Sequence, residues 1–501
     1  MSSGLGSLRE RLGRISDLEA AAELLSWDQL TMMPDLGGQQ RGYQLATLEQ
    51  LAHEIFVEGE TARLLDQAES EVANGAGTEI DAALVNIVRY DLDRATRVPA
   101  DLVGKMAQAA SDGYASWTDA RERNDFQSFL PALKRNVDLK LHYIDHFDAA
   151  DSPYDVLIED FERGLTSAET SRLFDSLKSE LRPLVDLVVE RSSAVTDDVF
   201  AGSFPTQGQQ AAGLAILQIL GFDEQSWRID PTVHPFATSI GSSDIRLTTK
   251  FVEHDLSDSL MSTIHEFGHG IYEAQIDPQL SRTPLATGCS MTLHESQSRF
   301  WENMIGKSEQ FWLLVAPILQ ETFPEQLKGV DHDQMYRSVN RMSPSLIRIE
   351  ADELTYGLHI IVRFEIEREL IEGRLQPRDL PEAWNARMKE YLGVNVPSDT
   401  LGVLQDVHWS AGSFGYFPTY FLGSVLAAQI WDRMILDLPG ATDMIANGEF
   451  APIRDWQRDH LHWSGRMYTP HETIERVVGE PLKTDSYVQY LKRKVTSLYG
   501  A

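Results

Sequence analysis

Residues 260–274 read Leu260-Met261-Ser262-Thr263-Ile264-His265-Glu266-Phe267-Gly268-His269-Gly270-Ile271-Tyr272-Glu273-Ala274. On a helix, positions i and i+4 share a face, so His265 and His269 can both reach one ion. Glu266 projects from nearly the same side and is placed to hold a water against that ion. The apolar flanks suit a buried helix, and small Gly268 and Gly270 permit close approach by substrate or a neighbouring helix. The alternative is a surface helix that carries two histidines by accident.

A third ligand has to come from elsewhere. Glu295, within His294-Glu295-Ser296-Gln297, lies downstream at a workable distance, and Glu273, Glu302 and His294 are rivals that read as ordinary helix or supporting residues. Two imidazoles and one carboxylate with an open fourth position form the ligand set of catalytic zinc, not structural zinc. The same set accepts Co2+ or Mn2+. The pattern points to metal-assisted hydrolysis of a peptide-like bond.

Composition sets the bounds. The 501 residues are 42% hydrophobic, enough for a large core and more than one lobe. With 76 acidic against 44 basic side chains the formal net charge is −32. Such a surface repels phosphate backbones and anionic lipid, so no nucleic-acid or membrane partner is expected. The single cysteine, Cys289, excludes an intrachain disulfide and reads as a small buried apolar side chain. Its solitude suits a reducing, cytoplasmic setting. The N-terminus lacks a signal-peptide pattern, and no apolar run of about 18 residues could span a bilayer.

Residues 5–200 read almost wholly as amphipathic helices, among them 16–30, 40–70, 80–95, 100–124, 127–148, 151–163 and 167–195. The texture changes at Gly202-Ser203-Phe204-Pro205-Thr206-Gln207-Gly208, before a further helix over about 208–220. The expected organisation is an N-terminal helical lobe over 1–200, forming a cleft wall or lid, and a catalytic lobe over 201–501, the two acting as one unit. Between His234 and Thr249, alternation on either side of Gly241-Ser242-Ser243 predicts a β-hairpin leading into the histidine helix. An edge strand there could take up an extended peptide by strand addition. The predicted fold class is mainly α, two-lobed, with a deep cleft and this small β element beside the HExxH helix.

Several segments occur together in a fixed order: Asp244-Ile245-Arg246-Leu247-Thr248, the HExxH run, His294–Gln297, Ile347-Arg348-Ile349-Glu350-Ala351-Asp352-Glu353, and Gly402-Val403-Leu404-Gln405-Asp406-Val407-His408-Trp409. With Leu24–Gln29, Met32-Met33-Pro34 and the stretch from His462 to Leu491, this set resembles the M32 family of metallocarboxypeptidases over essentially the whole chain. The resemblance implies a helical two-lobed body, zinc or cobalt at the cleft floor, and a homodimer. It also implies release of single residues from free peptide C-termini, with broad specificity and weak action at proline. It selects Glu295 as third ligand beside His265 and His269, and Arg348 as the group that grips the substrate carboxylate by paired hydrogen bonds. An ion pair of Arg348 with Glu350, Asp352 or Glu353 is the competing reading.

The chemistry assigns the remaining roles. Glu266 is the expected general base. His408 and Tyr420 are candidates for oxyanion donors and Tyr416 for a donor to substrate or oxyanion, the alternative being a buried aromatic turn. Arg246 is a candidate for a second substrate contact or, instead, for orienting Asp244 or a metal ligand. Asp244 and Asp406 are expected to orient the ligand histidines. Two rivals stand beside this reading: an oligopeptidase cutting inside short peptides, and a helical peptide-binding scaffold in which HExxH is incidental.

Overall fold

Apolar residues at helical spacing dominate the chain, and the fold follows them. The structure, a computed structural model, describes residues 3–148, 150–195 and 198–500. Eight helices come first: α1 (Gly4–Thr31), α2 (Gly38–Val57), α3 (Gly59–Ala73), α4 (Glu79–Arg97), α5 (Ala100–Arg123), α6 (Phe126–Ile144), α7 (Pro153–Glu159) and α8 (Ser167–Glu190). Local signals mark the ends. Thr78 and Asp81 form a capping box before α4, while Arg94 and Arg97 lie in its last turn, where cations complement the helix dipole. The single helix expected over 40–70 is two, because Glu58 is extended (ψ 142°) between α2 and α3. The break is tied from outside: Thr61 Oγ1 donates to the Ile55 carbonyl at 2.7 Å and accepts from Arg11 Nε at 2.6 Å.

Packing divides the chain elsewhere than at the expected residue 200. One apolar cluster runs from Trp117 through Tyr499, so α5–α8 share a core with the second half. Phe174 of α8, for example, meets Phe364 and Phe421 at ring distances of 5.1 and 5.5 Å. A separate cluster joins α1–α4 to Ile276, Leu280 and Leu285. The physical subdivision is α1–α4 against the rest, because aromatic side chains of α5–α8 insert into the larger core.

After α9 (Thr206–Leu220) the chain forms a three-stranded sheet of β1 (Trp227–Pro231), β2 (Ala237–Gly241) and β3 (Asp244–Thr249) in the order β1-β3-β2. β2 and β3 make the antiparallel hairpin that the alternation predicts, and β1 adds to β3 in parallel. Inward Ile245 and Leu247 are fully buried and pack beneath α10 (Leu256–Ala274), the histidine helix. Asp255 caps α10 by accepting from Ser257 N at 2.9 Å and Asp258 N at 3.2 Å. α11 (Met291–Arg299) carries Glu295 and runs on into a π-helical segment, Phe300–Gly306.

The remaining helices enclose this pair. They are α12 (Glu309–Thr322), α13 (His332–Val339), α14 (Tyr356–Ile371), α15 (Leu380–Leu392), α16 (Phe417–Asp437), α17 (Ala441–Asn447), α18 (Ala451–His460), α19 (Pro470–Val478) and α20 (Asp485–Tyr499). None of the described helices is long and apolar enough to cross a membrane.

Candidate active site

Two missing side chains bring the ligand helices together. A Cβ on Gly268 of α10 would stand 2.5 Å from the Gln297 carbonyl oxygen of α11, so only glycine permits this approach. On the other flank, a Cβ on Gly423 of α16 would fall 2.6 Å from Glu295 Cγ. Glu295 is therefore pressed between α10 and α16 with its carboxylate turned toward the histidines.

The result is a converging donor set. Glu295 Oε2 lies 3.6 Å from His265 Nε2 and 3.5 Å from His269 Nε2, and one donor atom from each of the three residues falls within 4.8 Å of the others. Separations near 3.5 Å are those of ligands around one ion at about 2.0–2.2 Å from each.

Hydrogen bonds on the far side of each imidazole leave both Nε2 atoms bare. His265 Nδ1 donates to Glu302 Oε2 at 2.9 Å. His294 Nε2 donates to Glu273 Oε1 at 2.9 Å, which leaves His294 Nδ1 free to accept from His269 Nδ1 at 2.6 Å. Orientation of ligand histidines through their second nitrogen is the usual support of a metal site. The chain's own residues therefore fit a divalent cation.

The carboxylates are also fixed. Glu295 Oε1 accepts from Arg299 Nε at 2.7 Å and Oε2 from Ser298 Oγ at 2.9 Å. Burial would raise this carboxyl, but Arg299 and His265 hold it well below the usual range. Glu302 accepts further from Arg299 Nη1 and Lys307 Nζ, each at 3.0 Å. Glu266 is 6% exposed, and burial pushes its carboxyl up to about 7.

A second cluster holds the other predicted residues. His408 Nε2 is 3.5 Å from Tyr420 Oη; the Tyr416 ring stacks on His408 at 5.8 Å and meets Tyr420 at 4.8 Å. Burial, with Arg348 and Arg363 nearby, holds His408 down to about 4, so its imidazole is neutral near pH 7. The Arg348 guanidinium lies 5.3 Å over the Tyr420 ring, with Nε donating to Asp406 Oδ1 at 2.9 Å and Nη1 only weakly to Tyr356 Oη at 3.4 Å. Its ion partner is thus Asp406, and not Glu350, Asp352 or Glu353.

Three expectations need correction. Asp406 does not orient a ligand histidine; it lies between Arg348 and Arg363, whose Nε donates at 2.7 Å. Asp244 accepts two 2.9 Å bonds from Arg246 Nε and Nη2, so it too is turned away from the histidines. Arg246 is committed to that pair and lies 4.4 Å over the ring of Trp27 in α1, as Arg228 does at 4.5 Å. It fastens α1 to the sheet and does not offer a free fork to substrate. The orienting groups are Glu302, His294 and Glu273, the three rivals to Glu295 that read from the sequence as ordinary helix or supporting residues. Arg299, Arg363 and Tyr356 belong to none of the motifs singled out. Arg299 stands four residues from Glu295 and three from Glu302, a helical spacing that could have pointed to it, whereas Arg363 meets Asp406 only across the fold.

A helical fold in which HExxH and a downstream glutamate meet at one point defines a metal-dependent peptide hydrolase. The profile of the family described as Carboxypeptidase Taq (M32) metallopeptidase matches residues 7–495, and the chain belongs to that family. It is therefore a metallocarboxypeptidase, a peptide hydrolase that works with a metal ion. It is 36% identical over 488 residues to Carboxypeptidase 1 of Bacillus subtilis, covering 97% of each chain. To Thermostable carboxypeptidase 1 of Thermus thermophilus it is 37% identical over 492 residues, covering 96% of each. The crystal structure of an M32 carboxypeptidase from Deinococcus radiodurans superposes with a TM-score of 0.95 at 38% identity and 99% coverage of both chains. A carboxypeptidase structure from Pyrococcus furiosus gives 0.94 at 32% identity, again with 99% coverage of both.

Proposed function

We infer that the protein is a zinc-dependent carboxypeptidase that releases single C-terminal residues with broad specificity and acts weakly at proline, working as a homodimer. The observation that carries this reading is the meeting of His265, His269 and Glu295 on two packed helices, with buried Glu266 beside them. His265, His269 and Glu295 would hold zinc, or Co2+ or Mn2+, and the bound ion would supply Lewis acidity for the scissile carbonyl and for the attacking water, whose pKa it would lower to about 7.

The side chains do the rest. Glu266 takes a proton from the attacking water and returns it to the departing amine, a shuttle that its raised pKa favours. Tyr420 and neutral His408 donate hydrogen bonds to the developing oxyanion, and Tyr416 donates to substrate or oxyanion. Arg348, with Asp406 on its inner edge, presents its outer edge to the substrate's terminal carboxylate. Recognition of that carboxylate is what limits cutting to the chain end.

The test is a peptide ladder followed by mass spectrometry, using one sequence with a free and an amidated C-terminus, with and without chelator. Stepwise loss from the free peptide alone, abolished by chelator, is expected. Equal cleavage of the amidated peptide would overturn carboxylate recognition and favour an internal cut. A Glu266→Gln enzyme that holds its metal and still turns over would overturn the general base.

A further inference from the structure

A buried carboxylate that none of these steps uses lies behind the His408–Tyr416 cluster. Glu367 of α14 is fully buried, and its two oxygens accept three hydrogen bonds. Trp409 Nε1 donates to Oε1 at 2.7 Å, while Tyr154 Oη and Gly415 N donate to Oε2 at 2.6 and 2.9 Å. Trp409 follows His408 and Gly415 precedes Tyr416, so one side chain grips both flanks of the segment bearing the two candidate donors.

The grip has little slack. Gly415 has φ +91°, and a Cβ there would stand 2.5 Å from the Leu157 carbonyl oxygen, so its backbone is wedged against α7. One turn earlier on α14, Arg363 holds the start of the same segment, donating to Asp406 Oδ2 and Gln405 Oε1 at 2.7 Å each. From the other side Asn136 Nδ2 donates to the carbonyls of Trp409 and Ser410 at 3.0 and 2.8 Å.

His408 depends on this frame. Its Nδ1 is buried with no hydrogen-bond partner. Its remaining contacts are the 3.5 Å approach to Tyr420 and ring packing on Phe417 at 4.5 Å and Tyr416 at 5.8 Å. The imidazole is therefore aimed by the backbone that carries it. An apolar side chain in place of Glu367 would leave three buried donors without an acceptor, each at a cost in stability. Nor could it join three donors from separate elements at one point.

We propose that Glu367 is a positioning residue for peptide hydrolysis, fixing His408 and Tyr416 against Tyr420 through its bonds to Trp409 and Gly415. This rests on the reading that those side chains face the reacting bond. A shift of about 1 Å in such donors commonly costs up to about 100-fold in rate.

The informative variant is Glu367→Gln, equal in volume but with a donor NH2 in place of one acceptor oxygen, so at least one of the three donors loses its partner. With metal content and melting temperature matched to wild type, kcat is expected to fall about 10–100-fold while KM changes less than about threefold. The decisive comparison is with the enzyme carrying His408→Gln and Tyr416→Phe: if Glu367 acts by placing these two side chains, adding Glu367→Gln slows that enzyme no further. Multiplied losses would make the effect structural and overturn the proposal, as would wild-type kcat in Glu367→Gln. A readout free of catalysis is the 15N spectrum of the indole and imidazole groups, with the Trp409 line assigned by Trp409→Phe. Glu367→Gln should shift both the Trp409 Nε1–H and the His408 ring resonances, and unmoved His408 lines would overturn the clamp. If wild type cleaved no peptide, the proposed function would fail, and these lines would still decide whether Glu367 fixes His408.

Discussion

At the scale of single residues, two groups could give the enzyme an acid limb, and burial drives them in opposite directions. Burial pushes Glu266 up to about 7, and its basic form exists above its pKa. A cation held beside Glu266 favours its basic form, so turnover of the loaded enzyme falls as pH drops through a value below about 7. His408, held down to about 4, stays neutral throughout this range. His408→Gln is expected to lower kcat and leave the limb where it was. A limb that disappears in this variant would show that His408, and not Glu266, titrates there. A second residue-scale prediction concerns His294, whose Nδ1 accepts from the ligand His269 at 2.6 Å. His294→Phe keeps a ring against Tyr272, now at 5.3 Å, but removes the acceptor. Metal affinity should fall about 10–100-fold in competition with a chromophoric chelator, and unchanged affinity would rule out this support.

At the scale of elements, the site depends on how closely α10 approaches α11. Gly268→Ala places a methyl 2.5 Å from the Gln297 carbonyl oxygen and 2.6 Å from Ser298 Cα, both rigid backbone atoms. The helices must part, at a cost of about 1–3 kcal/mol, and Glu295 withdraws from the histidines. Calorimetry should show a lower melting temperature and dialysis a loss of bound metal; both unchanged would mean the contact is soft. The same elements explain what the sequence reveals. HExxH is written within one helical turn, and the hairpin is marked by alternation about Gly241-Ser242-Ser243, so local pattern suffices for both. The break at Glu58 is set by Arg11, which is distant in sequence, and β1 pairs in parallel across an intervening strand. Among the supporting residues, Glu302 and His294 were weighed as rival ligands, whereas Arg363 reaches Asp406 only through the fold. Motif order pointed to Arg348 and His408, but nothing local said that Asp406 faces an arginine and not a ligand histidine.

At the scale of the whole molecule, charge governs approach. The net charge is −32, and a cavity of about 560 Å³ beside His269 and His294 is walled by Asp17, Glu19, Glu23, Glu273 and Asp277. Its one arginine, Arg282, is neutralised by Asp17 at 2.6 Å. Burial and the neighbouring carboxylates of Glu23 and Asp91 raise the Glu19 carboxyl, a sign of how dense the negative field is there. The edge strand β2 lines the same space, so a peptide leaving the metal site along it passes this wall. Fields of this kind change association rates by about 10-fold or more at low salt, and the effect fades as the Debye length shrinks from about 30 Å at 0.01 M to about 8 Å at 0.15 M. For peptides sharing a C-terminal residue, kcat/KM for a lysine-rich chain should therefore fall with added salt, and that for a glutamate-rich chain should rise. The double change Glu19→Gln and Glu23→Gln should narrow the gap at low salt while leaving kcat unchanged, because neither side chain touches the ligand set. Parallel salt curves for the two peptides would place substrate entry on another face of the molecule.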